Sequence, residues 1–309
     1  MKIKFDTVGE GFVAIATLIM HADGIASKKE LNLILKNFIS QPLNVLNVTY
    51  AEDLFNFFWE TQHKILGTYH RVPVTNEVII FSNREVKDLI EAAKEVLNPD
   101  IRETAYLLAC ELAYADGLTK SEESILEYIQ KEFEIDQKVV KMIREIVPLK
   151  YLNPIQIKNE FQNKLPIHFE TAAEAIIAIE LALTFADEDV NLKQTVRLFW
   201  NLTLLNIFID KDPGYYYQII HKILNIFNKQ LDNPVPFNDK ELNDLILASN
   251  NVLDTKSRET ALWVATELAY ATEINDQEKD VIDLLIKGMN IDKNIARKIN
   301  KVVSIKFRR

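Results

Sequence analysis

The chain has 309 residues, of which 48% are apolar and 26% charged, and its net charge is −9. That length allows about two domains. The acidic balance excludes the clustered cationic surface that nucleic-acid binding needs, and no apolar run reaches the ~18–20 residues of a membrane span. The single cysteine, Cys110, cannot form an internal disulfide, and the opening MKIKFDTVGEGF lacks the apolar centre of a signal peptide, so the expected compartment is the cytoplasm.

Seven glycines and nine prolines are few for this length, as suits long helices joined by short turns. Apolar residues at three- and four-residue steps predict helices over 9–22, 27–39, 50–66, 83–98, 100–115, 119–133 and 136–146. In 100–115, for instance, Ile101, Ala105, Leu108, Leu112 and Ala115 share one face. The stretch Gly67–Phe81 breaks the pattern and reads as a long loop or a short extended piece. Helix starts are marked by capping boxes at Ser27…Glu30, Thr49…Glu52, Ser82…Glu85 and Thr119…Glu122, then at Asn191…Gln194, Asn238…Glu241 and Asn275…Glu278. Asp136 and Asp292 read as further N-caps. Pro148 is expected to stop a helix, and Asn153-Pro154 to turn the chain.

The second half repeats the first. Shifted by 156 residues, Phe81–Ile143 falls on Phe237–Ile299 without a gap, with 23 of 63 positions identical. His63–Leu66 (HKIL) recurs at His221–Leu224, a shift of 158. An internal duplication follows: an all-α chain of two tandem helical-bundle domains with about seven helices each, domain one at 1–148, a linker at 149–166, and domain two at 167–309. Each half is expected to fold on its own.

Two stretches invite a functional reading. HADGIASKKE runs from His21 to Glu30, and AYADGLTKSEE from Ala113 to Glu123. Gly24 and Gly117 suit the left-handed C′ position after a helix, and Ser27 and Thr119 cap the next one. Asp23 and Asp116 then sit at helix C-termini, where a carboxylate opposes the helix dipole. The corners are either structural or they hold an ion. A calcium loop needs about twelve residues with oxygens at alternating positions, and Asp23 to Glu30 spans too few. Two facing corners could complete a site for a hard divalent cation of the calcium or magnesium type, gathering Asp23, Glu30, Asp116 and Glu122 or Glu123.

Paired Ala-Asp-Gly corners about 90 residues apart, each followed by an acid in a helical unit of about 140 residues, resemble the tellurite-resistance TerB family. The resemblance implies an α-helical domain without enzymatic activity, linked to metal or stress response or to protein assembly. Its acidic positions map onto Asp23, Glu30, Asp116 and Glu122 or Glu123. It covers residues ~8–146 well and reaches ~170–303 mainly through the duplication. Half two departs from it. ADED at Ala186 keeps Asp187 and loses the glycine, and ATEI at Ala271 loses both, with Glu273 one place on. By contrast Arg102, Glu103, Glu111, Tyr114 and Asp136 persist as Arg258, Glu259, Glu267, Tyr270 and Asp292, which assigns them to the fold.

No zinc-spaced Cys/His cluster, phosphate loop or nucleophile motif appears. Glu60-x-x-His63 lacks the second copy that a di-iron bundle needs, since the repeat reads Gln218…His221. His63 and His221 are expected to be partly buried on an apolar face, and the tyrosines of GYYYQII (Gly214–Ile220) to be core. The reading favoured is a non-catalytic binding or scaffold protein with an unidentified protein partner, a divalent cation in domain one, no small-molecule substrate and no nucleic acid. The rival readings are a purely structural interaction module without an ion and an all-helical enzyme that uses carboxylates.

Overall fold

Helix starts follow the caps written in the sequence. A computed structural model describes residues 3–24, 30, 34, 51–69, 79–152, 166–186, 212–230, 235–271 and 274–308. Among these residues there are twelve helices and no strand: α1 (Val8–Met20), α2 (Ala51–Thr68), α3 (Asn83–Val96), α4 (Pro99–Ala115), α5 (Lys120–Glu132), α6 (Gln137–Lys150), α7 (Ala172–Thr184), α8 (Pro213–Ile226), α9 (Asp239–Val252), α10 (Thr255–Tyr270), α11 (Asp276–Gly288) and α12 (Lys293–Lys306). No described helix is long and apolar enough to cross a membrane. The expected capping boxes close at Ser82, Thr119, Asn238 and Asn275. Asp136 and Asp292 accept from the amides of Lys138 and Asn294. A box at Thr7…Glu10, which the sequence reading overlooked, opens α1. Ser27, Thr49, Asn153 and Asn191 lie outside the described residues, as does most of the expected helix 27–39.

Contacts divide the chain into two units. Unit 1 holds 1–148 with 304–309, and unit 2 holds 149–303. In unit 1 the central element is α1, against which α2, α3, α4 and α5 pack. Its sequence is apolar all round, the mark of a buried helix, and every residue from Gly11 to Met20 is buried. Gly11 is required for that packing: a Cβ there would come within 2.9 Å of Val96 Cγ2. In unit 2 the same place is taken by α7, which buries all thirteen of its residues and packs against α8, α9, α10 and α11.

Polar contacts also repeat. Lys64 reaches Glu10 at 2.6 Å in unit 1, and Lys222 reaches Glu174 at 2.9 Å in unit 2. Arg102 donates to the carbonyls of Leu97 and Lys94 (2.8 and 2.9 Å), and Arg258 to those of Leu253 and Asn250 (3.0 and 2.9 Å), each partner 156 residues on.

Two expectations need correction. Helix α6 does not stop before Pro148 but continues through it to Lys150. A proline interrupts one helical hydrogen bond, yet the residues beyond it are anchored. Lys150 is buried and bonded to Glu267 at 2.9 Å, and the Leu149 carbonyl accepts from the Thr260 hydroxyl at 2.6 Å. Nor does the first half hold all it needs. Buried Glu111 on α4 pairs with Lys306 at 3.0 Å, and the Thr104 hydroxyl donates to the Ile305 carbonyl at 2.8 Å. Unit 1 therefore takes its last polar partners from the far end of the chain.

Candidate functional site

The acidic corners lie where α1 ends and where α4 passes to α5. Helix α4 stops at its C-cap Asp116, and Gly117 follows with φ 109°, the C′ position expected. Gly24 also has positive φ, 91°, but α1 ends on its C-cap His21, so Gly24 lies three residues past the cap and is not C′. Its carbonyl instead accepts from the Ile79 amide at 3.0 Å.

Around this end Asp23 and Asp116 are exposed, while Glu30 and Glu122 are buried. Glu122 is the N3 residue of the α5 capping box, with an oxygen 2.7 Å from the Thr119 amide. Burial pushes its carboxyl above the usual range, the Thr119 bonds pull it back, and the charges of Asp116 and then Asp23 push it further up. The two corners are thus near enough for both aspartates to act on one carboxyl. Glu123 does not join them: it is exposed and reaches Arg144 at 3.3 Å. Among the described residues no group of three or more His, Cys, Asp or Glu side chains is placed to hold a metal ion. Asp187 and Glu273, the altered corners of half two, lie outside the described residues. Cys110 is buried in α4, and desolvation pushes its thiol up to about 12, which leaves it inert at neutral pH.

A second feature escaped the sequence reading. His63 and His221 are exposed, not partly buried. On α2, Phe55, Trp59 and His63 follow at four-residue steps and so line one face. Phe55 and Trp59 keep 48% and 43% of their surface exposed. Their rings stack nearly parallel, with centroids 6.4 Å apart, and His63 meets Trp59 edge-on at 4.7 Å. The Trp59 carbonyl can only accept, so His63 Nδ1 donates in their 2.8 Å contact. On α8 the counterparts 158 residues on are Tyr217, 48% exposed, and His221. With Gln218, Lys222, Asn225 and Ile226 they line an open surface. Of the tyrosines expected in the core, Tyr216 is buried and Tyr217 is not. The signal was present in the sequence: an aromatic four residues before a histidine, written twice. No family model, curated protein or solved structure matches the chain.

Proposed function

We propose that this chain is a non-catalytic binding module of the TerB-like type, made by internal duplication as two related domains of about seven helices each and acting in the cytoplasm by docking another protein. The observation that carries the reading is an exposed aromatic–histidine pair in each unit, Trp59/His63 on α2 and Tyr217/His221 on α8. A monomer that needed these rings only for its core would bury them. Aromatic side chains exposed at matching positions of both repeats suit a partner that buries them, because tyrosine and tryptophan dominate binding energy at interfaces. The test compares the wild-type chain with Trp59→Ala/Tyr217→Ala by crosslinking in extracts. Partners captured by the wild type should be lost from the variant while its melting temperature is unchanged. An identical captured set would defeat the reading.

One observation favours a divalent cation as an added ligand of the first domain: Asp23 and Asp116 both act on Glu122. Titration calorimetry of the full chain with Ca²⁺ and Mg²⁺ should show heat that Asp116→Asn reduces. Absence of heat from both ions would leave the docking module without an ion.

A further inference from the structure

Helix α7 is the buried centre of unit 2, and it carries a carboxyl where its counterpart in unit 1 does not. Glu180 is fully buried. Among the described residues neither of its oxygens has a hydrogen-bond partner. Aligning Thr171…Glu174 with Thr7…Glu10, a shift of 164, puts Ala16 of α1 at the corresponding place, and Ala16 lines a small apolar cavity with Phe12, Ile34, Leu108 and Leu112.

Among the described residues no charge relieves Glu180. From α10 the group facing it is Glu267, of like sign, whose own cation is Lys150 at 2.9 Å. From α8 the cation is Lys222, held by Glu170 and Glu174 at the opening of α7 (3.3 and 2.9 Å). On α9, Glu241 is held by Lys229 at 3.1 Å. On α11, Glu278 closes its own capping box. Among the described residues only Glu267 acts on Glu180 through charge. Ionising it would bury a second, uncompensated negative charge beside the first, which costs far more than burying the neutral acid.

We propose that Glu180 makes unit 2 a proton-dependent element, whose core closes around the protonated carboxyl and loosens when that proton is lost. Burial, and then the Glu267 charge, hold the folded carboxyl well above the ordinary glutamate value of 4.5. The folded state therefore binds the proton more tightly than the unfolded chain. The stabilising effect is complete below the unfolded value and is lost as pH rises from there to the folded one. Unit 1, with Ala16 in place of the acid, has no such group at this position.

Hydrogen exchange of the full chain between pH 5 and 8, corrected for intrinsic rates, tests this on the α7 segment 172–184, with the α1 segment 8–20 as internal control. Protection of α7 in Glu180→Gln relative to wild type should grow about tenfold per pH unit until the folded carboxyl ionises, and the ratio for α1 should stay flat. Glu180→Met, similar in size and apolar, should behave like Glu180→Gln, and it covers the case in which a buried amide disturbs folding. Infrared spectra at pH 6 should show the carbonyl stretch of a protonated carboxyl in wild type and a weaker band in Glu180→Met. A pH-independent α7 ratio for both variants, or a protonated band no stronger in wild type than in Glu180→Met, overturns the proposal.

Discussion

At the scale of single residues, the acidic corner makes two sharp demands. Gly117 has φ 109°, and a Cβ built there would meet no atom within 4 Å. A substitution is therefore penalised by backbone strain alone. Gly117→Val should cost about 1–2 kcal/mol, since that is the penalty of left-handed backbone for a side chain with a Cβ, and a urea melt measures it. Glu122 makes the second demand. Its folded carboxyl is raised, chiefly by burial, so the fold binds that proton more tightly than the unfolded chain does. The stability this gives is present at acid pH and is lost as pH climbs above the ordinary glutamate range. Glu122→Gln keeps a capping-box residue at N3 and removes that loss. It should melt above wild type at pH 7 and converge with it near pH 4. A variant that melts lower at pH 7 would show that the carboxylate is stabilising where it sits.

At the scale of elements, most of the helical pattern was legible because it rests on local chemistry. An N-cap hydroxyl or carboxylate and an acid three residues on act within one turn, so Ser82, Thr119, Asn238 and Asn275 could be read directly. What could not be read depends on distant partners. Pro148 reads as a stop, but Glu267 and Thr260, more than a hundred residues away, hold the turn beyond it. Glu134 takes φ 57° after α5 without a glycine to announce it, and its counterpart Asn290 takes φ 52° after α11. His63 and His221 look like stripe residues of an amphipathic helix, yet only the packing of α2 and α8 decides which edge of the stripe meets solvent. The candidate site was legible to the same degree. Gly117 and the Thr119 box were predictable, whereas the turn of Glu123 toward Arg144 depends on α6. The retained arginines give a test at this scale. Arg102 closes the α3–α4 turn by two bonds to backbone carbonyls, and Arg258 does the same between α9 and α10. Lysine cannot make the forked contact. Arg102→Lys and Arg258→Lys should each cost about 1.5–3 kcal/mol, the worth of a bond to a charged group, whereas a loss below a few tenths of a kcal/mol would mean that water replaces the fork.

At the scale of the whole molecule, the unit boundaries and the halves of the sequence do not coincide. Residues 304–309 belong to unit 1, and within it Lys306 meets Glu111 while Arg308 meets Glu103. Both side chains of the Lys306–Glu111 pair are nearly without solvent, at 2% and 0% exposure. A buried pair of this kind adds little net stability over an apolar pair, but removing one partner strands a charge and costs about 3–5 kcal/mol. Residues 1–150 expressed alone would carry that cost, so this fragment should be less stable than unit 1 in the full chain. Lys306→Met in the full chain should therefore weaken hydrogen-exchange protection in α4, roughly two hundred residues away in sequence, and leave α10 protected. Glu111→Met added to Lys306→Met should restore most of the loss, because two apolar side chains need no partner. Truncation after Val303 should act like Lys306→Met. It should also remove the acceptor of the Thr104 hydroxyl, the Ile305 carbonyl, so its effect should exceed that of Lys306→Met and Glu111→Met should rescue it only in part. Unchanged protection of α4 in the truncated chain would show that unit 1 closes without its C-terminal residues.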